Sequence, residues 1–237
     1  MSSGPVRGRA RVPQVGAAPS VMPDHGRVER TPAPGTTVLP CGDRALLVEV
    51  PDAAGVAAVR AALERSPLPG QRELVPAART VLVVLEREPT DLDMAALRRL
   101  SPGPAAQAPE GRLVELPVVF DGPDLAEVAG LTGRDVAALV RALTAAELTV
   151  AFGGFAPGFG YLSGLPADLH VPRRDTPRTR VPAGSVGLAG PYAGAYPRAS
   201  RGGWQLVGRT DAVLFDVDRD PPALLVPGVR VRLREVG

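Results

Sequence analysis

Beyond Leu148, glycine and proline punctuate the apolar runs so closely that only short pieces survive, among them VGLAG, GWQLVG, AVLFDV and VRVRLRE. Pieces this short cannot carry the repeating apolar face that an amphipathic helix needs. With turn signals at every few residues they fold as short strands, which restricts this half of the chain to a β-barrel or sandwich.

The part before it has a different rhythm. TTVLPCGDRALLVEV (36–50) has two β-rich runs around Cys41-Gly42-Asp43, the pattern of a hairpin. Residues 52–65 place Val56, Val59 and Leu63 at helical spacing behind Asp52, a suitable N-cap. ARTVLVVLE (78–86) predicts a buried strand, and DLDMAALRRL (91–100) a short helix opened by acids and closed by arginines, as the helix dipole favours. These elements make a small α/β domain over 36–100. SPGPAAQAPEG (101–111) then has the composition of a linker. RLVELPVVF (112–120) predicts a strand, DLAEVAGL (124–131) and RDVAALVRAL (134–143) two short helices, and LTVAFG (148–153) the strand that opens the barrel-like half.

Residues 1–35 are Pro/Gly-rich, carry five arginines against Asp24 and Glu29, and lack apolar periodicity, so they are expected to be a disordered tail. The tail has neither the apolar core of a secretory signal nor the character of an amphipathic transit helix, and no apolar run approaches the roughly 20 residues of a membrane span. A cytoplasmic protein without membrane association is expected.

All 27 basic residues are arginine. The absence of lysine excludes a Walker-type phosphate loop, a Schiff-base lysine and a biotin attachment site from this chain. With one cysteine, Cys41, and two histidines, His25 and His170, an intrachain disulfide framework and a His/Cys zinc cluster are excluded as well. Arginine is unevenly placed: residues 152–210 carry seven against Asp168 and Asp175, whereas the rest of the body is mildly acidic. That pattern suits a small anionic ligand or an acidic partner face better than nucleic acid, which calls for a domain-wide basic surface. Eight of the nine aromatics fall within 152–215, so the ligand surface is expected in the second half.

Three neighbouring motifs carry the chemistry. GGFAPGFGYLSGL (153–165) sets Phe155, Phe159 and Tyr161 among glycines and Pro157. Such a segment serves either as a ligand loop with aromatic walls or as a tight turn with its aromatics in the core. PRRDTPRTRVPAGSVGLAG (172–190) packs Arg173, Arg174, Arg178 and Arg180 between prolines, with Asp175 among them. An extended segment puts Arg174, Arg178 and Arg180 on one face and Arg173 on the other. The cluster is either preset for a carboxylate or phosphate, or a solvated strand with one arginine tied to Asp175. Around Ser185, PAGSVG offers backbone donors for an anion, or an ordinary turn. YPRASRGGWQLVGRT (196–210) brings Trp204, able to cover a planar group or to sit in the core, Gln205, able to read an amide or carboxylate, and Arg209. Ser163, Ser185 and Ser200 have no recognisable base and no G-x-S-x-G context, and a lone His170 reads as structural. An arginine-rich pocket with so few acids and bases looks like half of an active site, the other half coming from another chain.

GFAPGF, TPRTRVPAGSV and GGWQLVGRT, in this order, resemble the family of the 5-oxoprolinase B subunit, also called allophanate hydrolase subunit 1. The same domain is similar to half of the carboxyltransferase module of urea carboxylase, and the family includes an inhibitor of a sporulation histidine kinase. The resemblance implies an α+β chain whose small N-terminal domain is followed by a cyclophilin-like β-barrel over 112–237. It implies one component, inactive alone, of an ATP-dependent amidohydrolase that opens 5-oxo-L-proline to L-glutamate. The partners it implies are a C subunit, itself a related barrel, and an A subunit. ATP, with Mg2+, would be bound at the complex and not by this chain alone. The alternatives it leaves are a non-catalytic histidine-kinase inhibitor and half of a biotin-dependent urea or allophanate system. On this resemblance Arg178 and Arg180 are the expected catalytic residues. Phe155, Pro157, Phe159, Tyr161, Arg173, Arg174, Ser185, Trp204, Gln205 and Arg209 are the expected substrate or anion-binding residues. Relatives usually carry a histidine where this chain has Leu143, and a Gly-Gly-Gln-Thr-Gly stretch where it has GPYAGAYP, with Tyr192 near the glutamine's place.

Overall fold

The computed structural model describes residues 36–100 and 112–237; the expected tail and linker lie outside the described residues. The three sheets described below belong to one compact unit.

The first sheet has four strands, all antiparallel. β1 (Thr37–Pro40) and β2 (Ala45–Glu49) form the hairpin expected around Gly42. Helix α1 (Ala53–Arg65) starts where Asp52 accepts the Gly55 amide at 2.8 Å, and it buries Val56, Val59 and Leu63 against the sheet. β3 (Gln71–Pro76) follows, a strand that sequence periodicity does not reveal. β4 (Thr80–Leu85) alternates strictly, with Val81, Val83 and Leu85 inward. The order across the sheet is β1-β2-β4-β3. β3 is therefore an edge strand, with no buried residue and a register shift between Gln71 and Glu73, so it carries little apolar alternation. Helix α2 (Asp91–Arg98) opens with a reciprocal capping box: Thr90 accepts the Asp93 amide and Asp93 accepts the Thr90 amide.

Nine strands follow in the second half. They are β5 (Leu113–Val118), β6 (Leu148–Gly153), β7 (Gly160–Ser163), β8 (Arg178–Val181), β9 (Ser185–Ala189), β10 (Tyr192–Ala195), β11 (Ser200–Gly202), β12 (Gln205–Arg209) and β13 (Arg230–Glu235). Seven of them form one sheet in the order β12-β9-β10-β7-β6-β13-β5, in which only β5 and β13 run parallel. The sheet curls until its outermost strands meet: Val119 and Arg209 exchange both backbone hydrogen bonds at 2.9 Å, leaving a nearly closed barrel. β8 and β11 pair as a two-stranded ribbon outside this sheet. Helices α3 (Leu125–Leu131) and α4 (Val136–Ala145) connect β5 to β6 and pack on β12 and β13, and Leu139, Val140 and Leu143 enter the barrel core. Leu143 is fully buried there.

AVLFDV is not a strand; it makes a single bridge, Phe215 to Ala223. The two sides of this loop are joined by the Leu224 amide to the Leu214 carbonyl and the Asp216 amide to the Pro222 carbonyl, and the Arg219 guanidinium donates to the carbonyls of Val213, Leu214 and Pro222. Among the described residues no helix is long and apolar enough to cross a membrane.

Candidate functional site

The first motif forms the turn between β6 and β7. Phe155 stands at its tip, 57% exposed and at φ +66°, a conformation disfavoured for a residue with a bulky side chain. Phe159 is buried and central, its ring in edge contact with Phe155 (5.3 Å between centroids), Tyr161 (5.0 Å), Tyr196 (5.3 Å) and Trp204 (5.4 Å). Tyr161 in turn stacks on Phe152 at 4.4 Å, and Tyr192 closes edge-on against both. The cluster exists because β10 offers no side chain at Gly194: a Cβ there would stand 2.9 Å from Phe159 Cζ and 3.1 Å from Trp204 Cζ3. Trp204 and Phe159 are therefore walls of a packed aromatic cluster, with Phe155 and Tyr161 at its accessible side; Pro157 is exposed in the turn.

The arginines divide into two groups. Arg174 and Arg178 converge on one oxygen of Asp124, at 2.9 Å and 2.6 Å, while the other oxygen accepts the Leu206 amide at 2.6 Å. Asp124 is 2% exposed and lies at the start of α3, far from the motif in sequence. Arg209 pairs with Asp121 at 2.9 Å, both side chains about half exposed. Arg173 and Arg180 are exposed and have no ion pair among the described residues. Asp175, the acid nearest in sequence, takes no part in these pairs, and Asp168 is joined to Arg134. Of the arginines expected to bind an anion, Arg174, Arg178 and Arg209 are met by carboxylates, whereas Arg173 and Arg180 have no ion pair among the described residues. Asp121 and Asp124 carry no signal of this role in the sequence, because an acid following a strand and preceding a helix reads as a cap.

Two further expectations change. Gln205 sits opposite Leu188 in the β12–β9 register, so it shares the barrel-interior face with that core residue and not the face of the aromatic cluster. It is 2% exposed and its Oε1 has no partner, a burial that costs about 1–3 kcal/mol. Ser185 is buried in β9, and its amide and that of Gly184 donate to the carbonyls of Pro182 and Tyr196, so PAGSVG is a turn and not an anion nest. His170 Nε2 lies 3.1 Å from the Leu165 carbonyl, a structural contact.

Tyr196 joins the two halves of the site. Burial pushes its hydroxyl up to about 12, while the nearby Arg173 and Arg178 guanidiniums pull the other way and Tyr161 adds to the rise. The phenol stays protonated at neutral pH, beside both the rings and the arginines. Burial, reinforced by Tyr161, also raises Tyr192. The arrangement offers binding, charge and hydrogen-bond donation. A cleft of about 440 Å³ lies between α1 and β6 and reaches Phe152 at the edge of the aromatic cluster. Its charges, Arg60 and Glu64, pair with each other at 2.7 Å and leave it nothing for an anion.

An arginine row beside an aromatic cluster on a nearly closed barrel, with a four-stranded sheet before it, defines a carboxyltransferase-type fold. Residues 36–225 match the carboxyltransferase domain, subdomains C and D, and the chain belongs to that family together with proteins named as the B subunit of 5-oxoprolinase. It is 47% identical over 166 residues to the 5-oxoprolinase B subunit of Escherichia coli O157:H7, covering 68% of this chain and 76% of that one. With the 5-oxoprolinase B subunit of Haemophilus influenzae it shares 45% over 126 residues, 52% and 59% of the two chains. Among solved structures, TTHA0988 is 35% identical with a TM-score of 0.66 over 82% of this chain and 40% of that one. Kluyveromyces lactis urea carboxylase, 22% identical with a TM-score of 0.69 over 86% of this chain and 22% of that one, shares the fold. The chain therefore spans well under half the length of both structural relatives.

Proposed function

We propose that this chain is the B subunit of an ATP-dependent 5-oxoprolinase, converting 5-oxo-L-proline to L-glutamate as ATP is cleaved to ADP and phosphate, and acting with homologues of the family's A and C subunits. The observation that carries this is the 47% identity to a protein of that name over three quarters of its length. The site's chemistry supports it. A lactam amide is a poor electrophile, and transfer of the ATP γ-phosphoryl group to its oxygen activates the carbonyl carbon. Water then adds, the ring C–N bond breaks with the nitrogen leaving protonated, and a second water releases phosphate from the acyl phosphate that remains. Guanidiniums suit the charge that moves with the phosphoryl group. Arg180 and Arg173 are the arginines best placed for this role, with Arg178 held behind them, and the ring of the substrate would lie against Phe155 and Tyr161.

ATP itself fits this chain poorly. Arg174, Arg178 and Arg209 are offset by Asp124 and Asp121, there is no lysine, and among the described residues no three of His, Cys, Asp and Glu gather to hold a metal ion. Nucleotide and Mg2+ are therefore assigned to the assembled complex, with the partner chains supplying most of the ligands. The decisive experiment purifies the chain with its A and C homologues and measures ATP-dependent glutamate release from 5-oxoproline. An assembled complex that releases none refutes the proposal. In that event kinase inhibition and carboxyltransfer, the latter favoured by the fold shared with urea carboxylase, become the readings to test.

A further inference from the structure

Asp124 occupies the N-cap position of α3 and yet does not cap it. A cap aspartate ordinarily accepts an amide from the first turn of its own helix. Here no such bond exists, and both oxygens are used across the fold, by Arg174, Arg178 and the Leu206 amide. The carboxylate has been diverted from a local task to a distant one.

What it does there follows from charge. Arg174 and Arg178 are like charges four residues apart, and alone they would splay into solvent. One buried carboxylate holds both at hydrogen-bond distance, and the exposed Glu127 stands 3.8 Å from Arg174 Nη1 as a second countercharge. The same clamp fixes the segment against the turn before β12: the Arg174 amide donates to the Gly203 carbonyl at 2.8 Å, and Arg178 Nη1 reaches the Trp204 carbonyl at 3.5 Å. Since Trp204 is a wall of the aromatic cluster, Asp124 sets the spacing between the arginine row and the rings. A guanidinium has five N–H donors, so Arg178 keeps donors beyond those given to Asp124 and Trp204, whereas Arg174 Nε is buried without a partner.

We propose that Asp124 is a positioning residue, which acts through Arg178 and Arg174 to present the arginine row beside the aromatic cluster. The activity test of this role rests on the 5-oxoprolinase reading; its geometric test does not. In the complete complex, Asp124→Asn is expected to lower kcat/KM about tenfold, but by less than about threefold when Arg178 is already Gln, because contacting residues are energetically coupled. The loss should come mainly from a raised KM for 5-oxoproline. Equal losses in both backgrounds, or no loss in either, overturn the proposal. On the isolated chain, the arginine side-chain NMR signals of Arg178 and Arg174 should be dispersed in the wild type and collapse towards solvent-exposed values in Asp124→Asn, while the backbone spectrum of the barrel persists. Unchanged arginine signals overturn the positioning role whatever the activity, whereas a wild-type complex that is inactive with collapsing signals refutes the function and keeps the clamp.

Discussion

Asp124 and Arg178 stand 54 residues apart in the chain and 2.6 Å apart in the fold, and Arg174 shares the same carboxylate oxygen. The contact separates the arginines into those that hold the structure and those that face solvent.

Replacing Arg174 or Arg178 by Ala is accordingly expected to cost about 1–3 kcal/mol, because each leaves a buried carboxylate short of a charged partner. Arg173→Ala and Arg180→Ala should stay within about 0.5 kcal/mol of the wild type, as exposed substitutions do. Urea denaturation of the four variants checks this. In the complex, Arg180→Ala should lower turnover without lowering stability.

The tyrosines predict an alkaline limit. Tyr196 is held neutral up to about 12 in the folded chain, against about 10 when unfolded, so the folded state retains a proton that the unfolded state releases. Its contribution is complete below pH 10 and is lost as pH rises from 10 to 12. Ultraviolet titration should show a late tyrosinate transition that Tyr196→Phe removes.

At the acid end, Arg87 beside Asp93, with Thr90, holds the Asp93 carboxyl well below the usual carboxylate range. A depressed value means stability that is present above about pH 4 and lost as pH falls further. Asp93→Asn should lower stability at pH 7 by about 1–3 kcal/mol and flatten its dependence between about pH 4 and 2. Denaturation curves across that range provide the measurement.

Barrel closure has its own test. A Cβ on Gly208 would lie 2.5 Å from the Val119 carbonyl oxygen and 2.9 Å from Val118 Cγ1, so Gly208→Ala must push the two outermost strands apart. A loss of about 1–3 kcal/mol is expected, the range for overpacking. Faster hydrogen exchange at the Val119 and Arg209 amides should accompany it.

Elements set by local patterns were legible in the sequence. The Gly42 hairpin, α1 behind Asp52 and the strict alternation of β4 each follow from neighbours within a few residues. β3 escaped because an exposed edge has little need of apolar alternation, and AVLFDV misled because its apolar residues line a loop whose pairing stops at the single Phe215–Ala223 bridge. For the site, the aromatic cluster was visible in composition, since Phe159, Tyr161 and Trp204 recur among glycines. The acids were not: nothing near Asp124 in the chain announces Arg174 or Arg178, and only the curl of the barrel brings them together. Gln205 was misassigned for a related reason, as strand parity depends on register with β9.

The pairing of Val119 with Arg209 also bears on assembly. A sheet whose two outermost strands bind each other offers a newcomer no open backbone at that point, so a partner cannot simply lengthen it by one strand. Among the described residues, free margins remain on β1 and β3 of the four-stranded sheet and on the β8–β11 ribbon. Of these, only the ribbon carries the unpaired Arg180, and strand addition there would bring another chain's backbone alongside the site.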